Sequence, residues 1–467
     1  MENKFNLKTM KTLVILLLFY IAGTNSLFLY VLSLSLYKIF TSCFSHISIK
    51  DKIKDKNDSQ NIYQKTLLLI SILSLFFLFL GITISDISSN LLNLENPFLV
   101  FLMMGLSIIT EPYINITKEY IEVTKSKKIS KSIFNLYHIL ESILTIIIAF
   151  TFFKIFEIKD YVAASLLYLP KIISAISVAV ITYQITKDKN KKISLNNLNQ
   201  KTPVKEIFLT NNEQSIAKII KNSYYYIGII IAYIILTTRY GYSLEKIESI
   251  LVYIYFYFIN LIEYIIFVVA TIIKNKDKKI NIIDNIYKTL EIMLYLTIII
   301  GMISPLICKI LFNDHTISIY LMMTNLMGLF IALYNLTTEN IKNKQVISIS
   351  ITSGLIAKLI LIIPLINSFY RMGYNLIYGD IISTIIGLLI TIIINYIYIK
   401  NKQRKKENNF EIILKTLYEN ILLCIILTIC QFVIPTKTDN YFKAILLITI
   451  YILISIIYLK LKDKKRG

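Results

Sequence analysis

The chain has 467 residues, 55% of them hydrophobic, with a mean hydropathy of +0.64. Apolar runs of membrane length recur from end to end, which excludes a soluble globular fold and makes these segments bilayer-spanning helices, since backbone amides in lipid must be satisfied within their own segment. The formal net charge of +21 does not call for a nucleic-acid partner, because the lysines gather in short clusters between apolar runs.

The N-terminus MENKFNLKTMK followed by TLVILLLFYIAG has the outline of a secretory signal peptide, but the apolar run resumes at once, so it reads as a membrane segment. The first hydrophobic stretch, 12–43, is long for one span and short for two, and is interrupted by Gly23, Thr24, Asn25 and Ser26. Further spans are predicted at 65–86, 97–117, 131–156, 161–186, 216–238, 247–273, 286–312, 317–337, 346–368, 373–400, 411–434 and 440–461. The expected fold is an all-α polytopic membrane protein with about 13 transmembrane helices, within a range of 12–14.

The connecting segments fall into two alternating sets. One is basic, for example Lys50 to Lys56, Lys125 to Lys131, Lys187 to Lys192, Lys274 to Lys279, Lys342 with Lys344, and Lys400 to Lys406. The other is short and nearly neutral: Asp86 to Asn96, Glu157 to Asp160, Thr238 to Lys246, Asn313 to Thr316, Ser368 to Asn375 and Pro435 to Tyr441. Cationic loops stay inside, which predicts a multi-pass protein of the cytoplasmic membrane with a cytoplasmic C-terminus.

Two parts of the chain repeat one another. Ile347 to Lys400 is a pair of apolar runs joined by a short polar turn, with Lys358 in the middle of the first run. Ile129 to Lys187 is a looser copy, with Glu141 at the matching place. Upstream, YINITKEYIEVTKSKKIS from Tyr113 parallels YNLTTENIKNKQVIS from Tyr334. Two pseudo-symmetric helical lobes follow, an organisation typical of transporters. The predicted bounds are 1–190 for the first lobe, its first helix short or missing, 191–215 for a cytoplasmic linker, 216–400 for the second lobe and 411–461 for an extra C-terminal pair.

An ionisable side chain near the bilayer midplane costs roughly 2.5–3.5 kcal/mol and is rare unless it faces a cavity or a partner. By depth the candidates are Glu141, Lys171, Glu263, Lys358 and Asp380. Glu141 and Lys171 fall at similar depth on consecutive antiparallel spans, and Lys358 and Asp380 in the other half do nearly the same. Pairing between helices and a substrate or ion role both remain open for them. Glu111, Glu291, Lys309 and Lys38 lie nearer span ends, where snorkelling explains them. Arg239 closes its span in TTRYGYS, as an interface anchor or looking into an outward cavity. Pro112, Pro170, Pro305 and Pro364 fall within or near the ends of spans and permit kinks. Cys43, Cys308, Cys424 and Cys430 form no CxxC pair and read as structural thiols. His46, His138 and His315 are scattered, so neither a metal site nor a cofactor is expected.

Two lobes plus a terminal pair, with GLIAKLILIIPLI, a short turn and YGDIIST, resemble the multidrug/oligosaccharidyl-lipid/polysaccharide (MOP) exporter superfamily. The closest likeness is to its stage V sporulation protein B and MurJ-type lipid II flippase branch. HILESILTIIIAF followed by DYVAASLLYLP resembles the first-lobe hairpin, and TTRYGYSLEKIESILVYIY the first turn of the second lobe. The resemblance implies lobes around a cavity of alternating access and, as cargo, a polyprenyl-(pyro)phosphate-linked sugar moved from inner to outer leaflet; the short outer loops and the lack of a convergent acid/base set separately argue against an enzyme. It implies substrate contacts from Lys171, Arg239 and Lys358, with Glu141, Glu263 and Asp380 tuning them or coupling a monovalent cation or the membrane potential. A cation-coupled multidrug exporter is the alternative within the superfamily. From other classes, a multi-span glycosyltransferase or a structural member of a cell-envelope complex competes.

Overall fold

The computed structural model describes residues 2–44, 47–49, 59–92, 96–158, 160–186, 212–240, 249–276, 282–341, 343–375, 377–403 and 409–466. Most of the predicted linker, 191–211, and most of the basic loop residues lie outside them. The described residues are mostly helical, with no strand among them, and nine of these helices are long and apolar enough to cross a membrane. Four shorter apolar helices, Leu27–Ser42, Tyr226–Arg239, Asn260–Thr271 and Tyr418–Val433, add to these.

Contacts divide the chain into two units, Met1–Phe256 and Tyr257–Gly467. The first begins with α1 (Glu2–Ala22) and α2 (Thr24–Ser42), so the stretch 12–43 resolves into two helices. The break falls at Gly23, whose φ of +77° lies in the left-handed region that a side chain disfavours. The apolar part of α1 starts at Thr12, and its polar N-terminal half reads in the sequence as a tail.

Next come α3 (Ser59–Leu92), α4 (Pro97–Ser107), α5 (Thr110–Thr124) and α6 (Lys127–Ala149), the last continuing as a π-helical turn through Ile155. The segment expected as an outer loop from Asp86 is helical as far as Leu92. α7 (Asp160–Leu166) and α8 (Leu169–Thr186) complete the hairpin with α6. Two spans are interrupted, between α4 and α5 and between α7 and α8, and each restarts beside a proline, Pro112 or Pro170. Proline lacks the N–H that would bond four residues back, so it is tolerated in a helix's first turn and breaks the ladder before it.

α9 (Asn212–Tyr240) packs on α2 inside the first unit, with the Tyr233 ring 4.7 Å from Phe28. The repeat pattern starts the second lobe at this helix, whose Tyr224, Ile229, Tyr233 and Leu236 are buried.

The second unit contains α10 (Asn260–Lys276), entered through a π-helical segment at Tyr253–Ile259, then α11 (Ile282–Phe312) and α12 (Ser318–Glu339). α13 (Lys344–Arg371) and α14 (Ile377–Gln403) form its hairpin. At their tight end a Cβ on Gly379 would lie 2.6 Å from the Ile366 backbone nitrogen, so only glycine allows the approach. α15 (Asn409–Val433) and α16 (Tyr441–Arg466) bury Leu423, Leu427, Leu447 and Tyr451 against Tyr295, Ile303 and Leu306 of α11. The terminal pair is thus anchored on one helix of its own unit.

Candidate functional site

The interrupted spans of the first unit decide where its charges sit. Glu111 precedes Pro112 at the restart of α5, and Lys171 follows Pro170 at the restart of α8. Both breaks open onto α6, and α5 packs against α6 and α8. Lys171 Nζ donates to Glu141 Oε1 at 2.8 Å, and His138 Nδ1 lies 3.2 Å from Glu141 Oε2. Glu111 Oε1 is 4.0 Å from Lys171 Nζ and accepts from Lys38 Nζ of α2 at 3.0 Å. Four charged groups from four helices therefore alternate in sign, Glu141, Lys171, Glu111 and Lys38, with His138 beside the first. α1 packs against α6, and its Lys11 lies within electrostatic reach of Glu141, Lys38, Lys171 and Glu111.

Aromatic side chains line this chain of charges. The Tyr37 ring centroid is 4.9 Å from Lys171 Nζ and 5.7 Å from Lys38 Nζ, placing a π face against two cations. Tyr168 packs at 6.1 Å from Tyr37 and shares a 2.7 Å hydrogen bond with Ser33. The inner end is closed, with Lys171 and Glu141 side chains 10% and 15% exposed. The outer end is open, with Lys38 and Glu111 at 33% and 32%. The Lys38–Glu111 pair thus reaches an accessible edge from a buried base.

In the second unit Lys358 Nζ lies 3.2 Å from Asp380 Oδ1, with side-chain exposures of 1% and 16%. Lys358 is walled in by α13 and α14, and Asp380 occupies the first turn of α14, where the helix dipole favours a carboxylate. Among the six residues singled out from sequence, the structure joins Glu141 to Lys171 and Lys358 to Asp380. Arg239 and Glu263 are exposed on their own helices, outside both groups.

Lys38 and Glu111 are corrected from the snorkelling expectation, because they pair with each other and extend the buried chain. They are 73 residues apart in sequence, so span depth alone gives no sign of the pairing. Glu111 does carry one local signal, its place beside a proline in TEP, matched by LPK around Lys171. Lys11 and His138 were likewise missed. Lys309, expected to snorkel, is buried at its helix end, where Nζ donates to Asn313 Oδ1 at 2.6 Å and lies 3.8 Å from Asp439 Oδ1. Among the described residues no group of three or more His, Cys, Asp or Glu side chains could hold a metal.

No protein-family model matches the sequence, and no curated protein matches it. Solved structures do. The chain is similar to a lipid II flippase MurJ in an inward closed conformation, with a TM-score of 0.70 and 15% identity over 99% of this chain and 98% of that one. It is also similar to an inward-facing multidrug resistance MATE family transporter of the MOP superfamily, at a TM-score of 0.55 and 12% identity over 86% and 94% of the two chains. A MATE structure in the bent conformation gives 0.52 and 13% over 89% and 95%. At these identities the likeness establishes the fold alone, a polytopic helical one shared with those structures.

Proposed function

We propose that this protein is a membrane transporter that flips an anionic lipid-linked sugar, held by a polyprenyl (pyro)phosphate, from the inner to the outer leaflet by alternating access. The observation that carries the reading is the charge chain of the first unit, with two lysines alternating with two carboxylates and one accessible end. An anionic phosphate crossing a low-dielectric layer needs cations that are already desolvated and oriented, because charge-assisted hydrogen bonds strengthen where water is excluded. Lys38 meets the head group at the accessible end, Lys171 backs it, and Glu141 with His138 holds Lys171 in place. The polyprenyl tail stays in lipid throughout.

The near-complete overlap with a structure named as a lipid II flippase supports this cargo class over a drug, since the MATE structures cover less of the chain at lower TM-scores. Lys358 and Asp380 serve as a clasp for the second hairpin. Arg239 anchors its helix at the outer edge, and the lysine-rich loops keep the C-terminus cytoplasmic.

The test is a leaflet-resolved assay in proteoliposomes loaded with a polyprenyl-pyrophosphate sugar on one side. Protein-dependent appearance of the sugar in the opposite leaflet is expected, with no effect on a neutral glycolipid of equal tail length. Equal movement of both lipids, or of neither, would contradict the reading.

A further inference from the structure

Glu111 is in an unusual position for a structural counter-ion. Lys171 is already neutralised by Glu141 at 2.8 Å, so a second carboxylate 4.0 Å away adds little to its pairing. The other partner of Glu111 is Lys38, and that pair is one-third exposed at the open end of the chain. This pair is less buried than that of Lys171 with Glu141, and so the easier of the two to separate. The Glu111 carboxylate nevertheless occupies a place within reach of both lysine ammonium groups, 3.0 Å from Lys38 and 4.0 Å from Lys171. An incoming anion held by the same two lysines has to take that place.

We infer that Glu111 is a built-in competitor: it stands in for the substrate's phosphate when the site is empty, and head-group binding exchanges one anion for the other. This inference rests on the transport reading above and adds to it a residue that sets affinity and cargo charge. With Glu111 at its post, Lys38 and Lys171 are matched by two carboxylates. With Glu111 turned to the accessible edge, Glu141 alone remains and one positive charge is left over. The emptied place therefore takes an anionic head group. The exchange also keeps the lysines compensated at every stage, so neither the empty nor the loaded site leaves a desolvated cation alone. Return of the carboxylate then helps expel the cargo, which keeps binding moderate and turnover possible. Tight binding of cargo alone would slow its release.

The experiment uses the full chain in lipid nanodiscs with polyprenyl pyrophosphate as probe. Glu111→Gln is expected to bind the probe about tenfold tighter, because a like charge beside the ligand is removed, and to flip lipid-linked sugar several-fold more slowly. Glu111→Asp, which keeps the charge, is expected to stay within about twofold of the parent in affinity. In the unaltered protein, zero-length carbodiimide coupling of Lys38 to Glu111, read by mass spectrometry, is expected to fall several-fold when the probe is added. This second arm decides the matter even if the glutamine variant does not fold. Binding by Glu111→Gln no tighter than the parent, or coupling that persists with the probe bound, overturns the competitor role and leaves the transport reading standing. Failure of the unaltered protein to bind the probe overturns the transport reading and the competitor role with it.

Discussion

The two hairpins, α6–α8 and α13–α14, use the same plan with the charges exchanged. Glu141 and Lys358 each stand fourteen residues after the first residue of their helix. Each pairs with an opposite charge near the start of the hairpin's second helix, Lys171 or Asp380. Both hairpins begin with a side-chain cap, Ser126 accepting from Ile129 and Asn343 from Gln345. What separates them is the next neighbour. Lys171 has Glu111 and then Lys38 beyond it, leading outward, whereas Lys358 sits 1% exposed between two helices. The lesson is that an ion pair inside a membrane helix bundle is read by what lies past it. A closed pair fixes the helices, and an open chain of alternating charges can trade one member for a ligand.

The sharpest way to break this contrast is Lys358→Met. It leaves Asp380 buried beside an apolar side chain, and removing one partner of a buried pair costs about 3–5 kcal/mol. A large drop in thermal unfolding temperature in detergent is expected, with recovery in the double variant Lys358→Met/Asp380→Leu, where neither charge remains. A stable single variant would show that Asp380 has another partner. Gly379→Ala comes next, because the added methyl meets the Ile366 backbone. Overpacking of this sort costs about 1–3 kcal/mol, to be seen as a lower unfolding temperature. The caps are smaller and should be alike: Ser126→Ala and Asn343→Ala each lose about 1 kcal/mol of helix stability. Unequal losses would show that the repeat in sequence is not a repeat in energetics. Lys38→Gln is expected to change unfolding least, by less than about 1 kcal/mol for an exposed pair, while lowering flipping at least tenfold.

Hydropathy and lysine alternation made the helical class and most spans legible, because a bilayer demands long apolar segments whatever the fold. The pairing of Glu141 with Lys171 was also within reach, since consecutive antiparallel helices bring equal depths together. Lys38 and Glu111 were not. Their contact joins α2 to α5, helices whose adjacency no local pattern encodes, and depth measured along an unbroken span misplaces a residue at a break. Lys11 was hidden for a related reason: helix α1 continues backward from its apolar part into residues whose composition is that of a tail. The attachment of α15 and α16 to α11 through Tyr451 and Leu306 likewise depends on which faces meet, and all three helices are apolar around most of their circumference.

The contrast between the open chain and the closed clasp is tested most directly by one assay on two variants. Leaflet-resolved flipping of a polyprenyl-pyrophosphate sugar would be measured for Lys38→Gln and for Lys358→Met/Asp380→Leu, each at matched folded protein per vesicle. Flipping is expected to collapse in the first and to stay within about twofold of the parent in the second. The opposite pattern, with the clasp variant inactive and the Lys38 variant intact, would contradict the assignment of the cargo to the first unit.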